Sequence, residues 1–500
     1  MKKLISTETA HKLDTTMAQA WGLNAFALVE AAGRLCAKAL IEHVPSLWSA
    51  PARVVVLAGS GNNGADAMVM LRALIIAGKA SAESAIIINR FPPETADTPQ
   101  TANFLTLTKM TVPSFIWDKS VLRILKNADI IIDGIVGTGL SGPLNGTLKE
   151  MVLAVAQMKC CLVSIDIPSG LYEEWRPDSP VVPATFTLAI EPLKGMLYRP
   201  SYRRFSGEII PISGIFPELL INTLPGNELL SWEDSQKHIA KIMPDAYKYD
   251  RGVVEIHAGA AGSAGAARIA ARGAQAAGAG LVRTIVDDSL YPIVASPADG
   301  IMVVPASNLD KRFTPHALLL GPGWGIKPDR QAVIQEALTQ EEAGVPLILD
   351  ADGLFLTRSS VFHGNAILTP HLGEASAIAG TPREEILADP EYFALKLASA
   401  KNATIIIKGH VIVIADPKGT VAYLDGMLPV LATGGSGDLL AGFCAALAAR
   451  MYRNHSFDGY TVASASAALL IAAACATGKR FIDPLELADT AAALAGKAWL

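Results

Sequence analysis

The chain has 500 residues, of which 51% are hydrophobic and 18% charged, and its formal net charge is −5. A chain of this length is too long for a single domain with one hydrophobic core, and this composition excludes a disordered protein. The small acidic excess argues against a nucleic-acid partner, which would require a basic patch. The five cysteines lie in apolar segments without metal-ligand spacing, so we expect buried, reduced thiols in a cytoplasmic protein.

The N-terminal half alternates helix-like and strand-like segments. Residues 16–44 carry apolar side chains at helical spacing. Short β-branched runs follow, and helical segments separate them. These runs are Arg53–Gly59, Ser84–Arg90, Ala128–Ile135 and Cys160–Pro168. Apolar runs of this kind are typical of a parallel sheet that is covered by helices on both faces.

A change in amino-acid composition and pattern predicts a domain boundary near Pro225. Residues 211–236 contain three prolines and no long apolar period. A second alternating pattern then continues to the C-terminus, and its last third is rich in alanine. The stretch 462–478 is too short and too rich in serine and alanine to span a membrane. We therefore expect two tandem α/β domains in a soluble protein.

The stretch LATGGSGDLLAG, residues 431–442, is a glycine-rich turn that leads into an apolar helix. Glycines permit close backbone approach, and the free amides of a helix N-terminus bind anions such as phosphate. Asp438 would repel a phosphate but could take a proton from a hydroxyl that attacks a phosphoryl group. The alternative is that Asp438 only caps the helix.

Four further strands of this half end in loops of glycine and polar residues: LLLGPGWG (318–325), LILDADGL (347–354), LTPHLGE (368–374) and IIIKGH (405–410). In an open parallel sheet such loops share the carboxyl edge, where ligands bind. With the 431–442 turn, these motifs resemble the ADP-dependent NAD(P)H-hydrate dehydratases of the ribokinase-like superfamily, from about Glu228 to Leu500.

That resemblance implies roles for individual residues. Asp438 would be the catalytic base, beside an anion hole at Gly435–Asp438, and ADP with Mg²⁺ would be the phosphoryl donor. Nucleotide contacts would come from Lys408, Gly409, His410, Val411, Ile412 and Gly437. The hydrate would contact Ala266, Gly323, Gly325, His371 and Asp438. Val411 stands where the family often has threonine.

A second glycine-rich turn, GSGNNGAD, occupies residues 59–66. Its spacing matches the dinucleotide fingerprint G-x-G-x-x-G, but no acidic residue follows at the expected distance. Two later motifs, DGIVGTGLSGPL (133–144) and SIDIPSGL (164–171), supply further loops at one sheet edge. Asn63, Asp133 and Ser169 offer the hard oxygens that a monovalent cation requires.

The same loops offer backbone amides for phosphates and an acid or base, Asp166. The alternative for Asp133 and Asp166 is that they cap turns at strand ends. With LVEAAG at 28–33, the motifs resemble the NAD(P)H-hydrate epimerase domain, called YjeF N-terminal, over about residues 5–220. The chain departs from that family at Ala65 and Ala67, where glycine is usual, and at Tyr172, where aspartate is usual.

The epimerase resemblance implies K⁺ at Asn63, Asp133 and Ser169, and Asp166 as a catalytic residue. The substrate would contact the following positions: Asn62, Asn63, Gly64, Ala65, Asp66, Gly137, Thr138, Gly139, Leu140, Ser141, Gly142, Pro143 and Asp166.

We therefore predict a Rossmann-like three-layer αβα domain at 1–222 and a ribokinase-like αβα domain at 226–500. The predicted function is repair of hydrated nicotinamide cofactors: epimerisation of R and S NAD(P)HX, and ADP-dependent dehydration of the S form. The alternative is a kinase for a vitamin or sugar alcohol joined to a non-catalytic binding module. We expect small-molecule partners, a homo-oligomer, and no nucleic-acid or membrane partner.

Overall fold

The computed structural model describes residues 2–91, 97–296, 300–310, 314–478 and 481–500. The chain divides into two compact units, Lys2–Gly226 and Asn227–Leu500. The division lies beside Pro225, where the proline-rich segment 211–236 predicts a boundary. The assignment of one activity to 1–222 and another to 226–500 stays a prediction.

The N-terminal unit is built around a parallel sheet with the strand order β4-β3-β2-β5-β6-β7-β9. Outside this sheet, β1 pairs with β8 in parallel. The strands are β1 (Lys2–Ile5), β2 (Val54–Ala58), β3 (Ile86–Asn89), β4 (Ser114–Ile116), β5 (Ile130–Gly134), β6 (Cys161–Ile165), β7 (Phe186–Ile190), β8 (Leu193–Lys194) and β9 (Glu208–Ile212). The helices are α1 (Thr7–Ala20), α2 (Ala25–His43), α3 (Asn62–Ile76), α4 (Pro99–Lys109), α5 (Leu122–Lys126), α6 (Gly146–Val155), α7 (Pro200–Arg203) and α8 (Glu218–Asn222).

The central strands of this unit are buried on both faces. Val54 and Val56 belong to one core with α2 and α3, whereas Val55 and Leu57 belong to a second core with α6. Successive side chains of a strand point to opposite faces, so the sheet lies between two helical layers. The three-layer αβα architecture is therefore confirmed for this unit. The helical pattern of residues 16–44 is interrupted, because Asn24 caps a new helix, α2.

The C-terminal unit has a mixed sheet with the order β13-β12-β11-β14-β15-β16-β17-β18-β19-β10. Its strands are β10 (Asn227–Leu229), β11 (Val253–His257), β12 (Leu281–Val286), β13 (Met302–Pro305), β14 (Ala317–Leu320), β15 (Leu347–Leu349), β16 (Ala366–Leu368), β17 (Thr404–Ile407), β18 (Val411–Ala415) and β19 (Val421–Asp425). Its helices are α9 (Trp232–Ser235), α10 (Ala264–Ala276), α11 (Tyr291–Val294), α12 (Arg330–Glu342), α13 (Asp352–Leu356), α14 (Leu372–Ala379), α15 (Arg383–Ala388), α16 (Pro390–Lys401), α17 (Ser436–Arg453), α18 (Gly459–Ala476) and α19 (Pro484–Trp499).

The strands of this sheet are parallel except at one side. There, β18 is antiparallel to both β17 and β19. The segment 403–416 therefore forms a hairpin, with Lys408 to His410 at its turn. This hairpin ends β17 at the carboxyl edge of the sheet and places Lys408 there.

Helices α10, α17, α18 and α19 cover one face of this sheet with an alanine-rich core. The small residues permit close helix packing: a side chain on Gly442 would meet the Ala270 carbonyl oxygen of α10 at 2.2 Å. Helix α18 is long and apolar enough to cross a membrane, but 61% of it is buried inside the structure. All five cysteines are free. Cys36 and Cys444 are buried, as expected, whereas Cys160 and Cys161 are only half-buried and the expectation of burial is wrong for Cys475, which is exposed.

Candidate functional site

A cavity of about 440 Å³ opens in the N-terminal unit, where β2, β5 and β6 end. It brings together the predicted loops 59–66 and 133–144 and the predicted acid or base, Asp166. The predicted residues that line it are Asn62, Asn63, Asp66, Gly137, Thr138, Gly139 and Asp166. Its lining, as described, does not include Gly64, Ala65, Leu140, Ser141, Gly142 or Pro143.

The 59–66 turn ends β2 and starts α3. A side chain on Gly59 would meet the Ile135 carbonyl oxygen at 2.0 Å, so this position requires glycine. Ala65 and Ala67, in contrast, lie inside α3 with fully buried side chains. Their backbone is helical, so alanine adopts it without strain. The two departures from the family therefore leave the turn intact.

Asp133 is fully buried at the end of β5. Its carboxylate accepts hydrogen bonds from the Ser169 hydroxyl at 2.5 Å, the Ser169 amide at 2.9 Å and the Ser164 hydroxyl at 2.8 Å. The Ile135 amide, at 3.3 Å, is the local cap that the alternative interpretation predicts. Burial raises the pKa of Asp133. This carboxylate joins the loops after β5 and β6, which is more than a local cap does.

Asn63 lies beside the loop that follows β5. A side chain on Gly137 would meet the Asn63 Oδ1 atom at 3.0 Å, so the two loops touch there. The Ser169 hydroxyl, besides its bond to Asp133, lies 2.9 Å from the Val136 carbonyl oxygen. The oxygens of the three predicted cation ligands are thus held by neighbouring loops.

Asp166 follows β6 with a φ of 63°, an unusual backbone angle for a residue with a side chain. Its Oδ1 atom accepts hydrogen bonds from the Lys194 ammonium group at 2.8 Å and from the Ile190 amide at 3.1 Å. Both partners are more than 20 residues away in sequence, so Asp166 does not cap its own turn. The carboxylate is instead fixed at the wall of the cavity.

Sequence reasoning missed five further ionisable residues that line this cavity: His11, Asp14, Arg90, Glu191 and Lys194. Burial raises the pKa of Asp14, and burial together with the Asp166 charge raises the pKa of Asp66 well above its usual value. Lys194 begins the stretch KGMLYRP, residues 194–200, which lies within the span of the epimerase resemblance and was the available signal. Asp14 lies on α1, outside every motif.

In the C-terminal unit, the 431–442 turn leads into α17, whose N-cap is Gly435 with a φ of 98°. No side chain caps this helix, and Asp438 lies inside its first turn. The capping interpretation of Asp438 therefore does not describe this structure. Burial and the nearby charge of Asp350 raise the pKa of Asp438 to about 7, against the opposing charge of Lys408.

Lys408 connects Asp438 with two other carboxylates. Its ammonium nitrogen lies 2.5 Å from Asp350 Oδ1 and 3.9 Å from Glu374 Oε2. A side chain on Gly437 would meet the same nitrogen at 3.4 Å. The loops after β15, β16 and β17 thus converge on the first turn of α17. Asp350 and Glu374 were within quoted motifs, but their role was not predicted.

The residues predicted to contact the hydrate lie on neighbouring loops. Gly323 approaches α10, because a side chain there would lie 3.0 Å from the Ala266 Cβ atom. The Gly325 amide donates to Asp352 at 2.7 Å. His371 caps α14, where its Nδ1 accepts the amides of Gly373 and Glu374 at 2.9 and 3.0 Å. In the neutral ring the hydrogen therefore lies on Nε2.

The predicted nucleotide contacts divide into two groups. Gly409 and His410 are exposed, and Gly437 lies beside Lys408. Val411 and Ile412 are buried in β18, with 1% and 4% of their surface exposed. Only their backbone could meet a nucleotide, so the replacement of threonine by Val411 removes no exposed hydroxyl from the described surface.

Comparisons with known proteins cover both units. Residues 254–491 match the family described as NAD(P)H-hydrate dehydratase, and residues 25–195 match the family described as YjeF-related protein N-terminus. Together these two matches cover most of the chain, in the order that a fused repair enzyme would have. The chain belongs to the family of bifunctional NAD(P)H-hydrate repair enzymes.

Individual relatives are similar over both units. The bifunctional NAD(P)H-hydrate repair enzyme of Coxiella burnetii is 28% identical over 86% of this chain and 86% of that protein. The enzyme of the same name from Moorella thermoacetica is 29% identical over 89% of this chain and 88% of that protein. A solved structure, the ADP/ATP-dependent NAD(P)H-hydrate dehydratase from Bacillus subtilis co-crystallised with ATP and Mg²⁺, is 23% identical, with a TM-score of 0.49, over 55% of this chain and 99% of that chain.

Proposed function

We propose that this chain repairs hydrated nicotinamide cofactors, as the names of its relatives state for them. The N-terminal unit interconverts the R and S hydrates, and the C-terminal unit dehydrates the S form with ADP as phosphoryl donor. The observation that carries this proposal is the Asp438 carboxyl, whose pKa is about 7, at the uncapped N-terminus of α17.

The dehydration begins at the hydroxyl group on C6 of the hydrated ring. Asp438 accepts the proton of this hydroxyl, and the oxygen attacks the terminal phosphoryl group of ADP, which leaves AMP. A base with a pKa near the working pH is partly ionised, yet still binds the proton well. The amides after Gly435 and the Lys408 ammonium group stabilise the phosphoryl oxygens.

The second step restores the cofactor. The C6–O bond breaks, phosphate departs with the bonding electrons, and the ring nitrogen lone pair stabilises the resulting cation. Loss of a proton from C5 then forms the C5–C6 double bond of NADH or NADPH. No electron is transferred to or from an external group, so this unit needs no redox cofactor.

Mg²⁺ bound with the nucleotide would neutralise phosphate charge. Such ions take most of their ligands from phosphates and water, with one or two carboxylates. The described residues contain no group of three His, Cys, Asp or Glu side chains that could hold a metal by themselves. Asp350 and Glu374, which lie beside Lys408, fit the smaller carboxylate contribution.

In the N-terminal unit we assign acid–base chemistry at C6 to Asp166. Lys194 and the Ile190 amide hold its Oδ1 atom, and we assign the proton exchange with a substrate in the cavity to its Oδ2 atom. The charge of Asp166 contributes to the raised pKa of Asp66, which lines the same cavity. Two carboxyl groups in one cavity, of which Asp66 has the raised pKa, are suited to moving protons in opposite directions.

K⁺ fits the oxygen atoms of Asn63, Asp133 and Ser169. In the structure the Ser169 hydroxyl donates to Asp133, and the Val136 carbonyl oxygen lies 2.9 Å from it as a second acceptor. Rotation of this hydroxyl towards Val136 would release a carboxylate oxygen of Asp133 and a lone pair of Ser169 for a cation. The ion would bind the two loops together and screen the buried charge of Asp133.

One experiment tests both activities. Separated R and S hydrates are mixed with the protein, with and without ADP, and the return of NADH absorbance is followed. We expect repair of the S hydrate only with ADP, and repair of the R hydrate faster than its spontaneous epimerisation. A stable phosphorylated product without NADH would contradict dehydration and identify a kinase. A cytoplasmic location and a homo-oligomeric state stay predictions.

A further inference from the structure

Arg450, in the last turn of α17, is a buried cation without a hydrogen-bonding partner in the described chain. Only 3% of its surface is exposed, and all three guanidinium nitrogens are buried without such a bond. One face of the guanidinium group is covered by the Trp499 ring, whose centre lies 4.5 Å from the Arg450 Cζ atom. Buried arginines are normally paired, because an unpaired buried charge is costly.

Arg450 lines a cavity of about 310 Å³, here called the Arg450 cavity. Arg251 and Lys241 line it as well. A side chain on Gly278 would lie 3.7 Å from Arg450 Nη1 and 3.9 Å from Arg251 Nη2, so the two guanidinium groups approach the same point. Burial and the Arg251 charge lower the pKa of Arg450 to about 10.

The acidic residues of the cavity do not neutralise this pair. Asp250 accepts the Tyr247 amide at 3.0 Å and faces Arg453 at 3.5 Å. Asp245 is exposed. Arg251 donates its Nε hydrogen to the Gly278 carbonyl oxygen, which carries no net charge. Two like charges therefore converge on a cavity without a buried counter-ion in the described structure.

We propose that the Arg450 cavity binds a phosphate group, either free or on a small metabolite, with Arg450 and Arg251 as its ligands. Guanidinium groups match the geometry of phosphate oxygens, and a doubly charged anion neutralises two of them, whereas a carboxylate neutralises one. The site is separate from Asp438. The two residues lie at opposite ends of α17, about 18 Å apart along its axis at 1.5 Å per residue. The inference does not depend on the proposed activity.

The test uses the full chain and inorganic phosphate. Hydrogen exchange is compared in phosphate and in chloride at equal ionic strength, with sulfate as a second divalent oxyanion and acetate as a carboxylate. We expect phosphate to slow exchange in peptides from residues 241–254 and 446–454, and acetate to do so less. Arg450→Met should abolish this protection, whereas Arg358→Gln, a change to an exposed arginine of the same unit, should preserve it.

Stability measurements separate binding from a purely structural role. In chloride, Arg450→Met should be at least as stable as the wild-type protein, because it removes an unpaired buried charge and fills a similar volume. In phosphate, the melting temperature should rise by about 3 °C for the wild-type protein and not for the variant. Arg450→Lys keeps the charge without the planar fork and should weaken the response to phosphate about tenfold.

Three results would overturn the proposal. The first is equal exchange of the wild-type peptides in phosphate and chloride. The second is protection that survives Arg450→Met, because the anion would then bind elsewhere. The third is destabilisation by Arg450→Met in chloride together with an unchanged response to phosphate, since Arg450 would then serve packing against Trp499.

Discussion

The substitution Asp438→Asn should remove dehydration and stabilise the protein at the same time. The variant keeps the shape of the side chain but cannot accept a proton, so turnover of the S hydrate should fall by at least about 100-fold. The gain in stability follows from the pKa of Asp438, which rises from 3.8 to about 7 because the group is buried near Asp350. A carboxyl that resists ionisation in the folded state destabilises that state once it is ionised.

The sign and size of this effect depend on pH. Between pH 3.8 and about 7 the folded protein holds a proton on Asp438 that the unfolded chain has released. Stability therefore falls as pH rises through this window, and the full penalty is present above the folded pKa. A difference of about 3 pKa units corresponds to about 4 kcal/mol at pH 8 and to about 2 kcal/mol at pH 5. Asparagine does not titrate and escapes this penalty.

The measurement is the free energy of unfolding of the C-terminal unit in urea at pH 8 and pH 5. Hydrogen exchange of peptides from residues 436–453 monitors the unfolding. Turnover is measured on the same samples by the return of NADH absorbance. Asp329→Asn, a change to an exposed aspartate of the same unit, is the control and should alter neither quantity. Near-normal turnover, or a stability difference that does not shrink at pH 5, would refute the reasoning.

Four further outcomes are expected. Asp350→Asn should move the acid limb of the pH profile of kcat/KM to lower pH by about one unit, because it removes a like charge from Asp438 and releases Lys408 towards it; an unmoved limb would count against this coupling. Repair of the R hydrate should outpace spontaneous epimerisation in K⁺ but not in a larger organic cation, and Asp133→Ala should abolish the excess; equal rates in both cations would argue for a binding module. Residues 1–222 and 226–500 expressed separately should both be soluble, the second active on the S hydrate; an insoluble or inert second fragment would contradict the boundary. Ala67→Gly should cost about 1 kcal/mol of stability and leave the R-hydrate rate within about twofold, since this position is helical; a large gain in rate would show that the methyl group obstructs the site.

The motifs located the loops of both sites, because glycine-rich turns and strand ends are local features of a sequence. Lys408 and His371 lie on loops at the carboxyl edge of the sheet, and Asp438 lies in the first turn of α17, which follows the glycine-rich turn. The charge pattern around Asp438 was not predictable in the same way. Asp350, which helps to raise the pKa of Asp438, is held by Lys408, 58 residues away. The effect of Asp350 depends on its distance from Asp438 in the fold, which the spacing of the two residues in the sequence does not give.

Other features gave no local signal. Asp14 is an ordinary polar residue of α1 in the sequence, and only the folded cavity shows it beside the predicted residues. Arg450 follows the apolar run of α17, and with Arg453 in the same last turn it suggests an exposed helix end. The structure instead buries it against Trp499. The hairpin of β17 and β18 was not predicted, although the three residues KGH between two apolar runs are too few for a crossover and fit only a tight turn.

The alanines of α3 show why a departure from a family motif has to be judged in the structure. Glycine is needed at Gly59, where a Cβ atom would lie 2.0 Å from the Ile135 carbonyl oxygen. It is also needed at Gly64, where a Cβ atom would lie 2.3 Å from the Gly59 carbonyl oxygen. Ala65 and Ala67 follow Gly64 by one and three residues in the same helix, α3. Their methyl groups are fully buried, so they add packing where glycine would add none. A change from glycine to alanine at Gly64, one residue before Ala65, would have distorted the turn. At positions 65 and 67 the same change leaves intact the cavity that Asn63, Asp66 and Asp166 line.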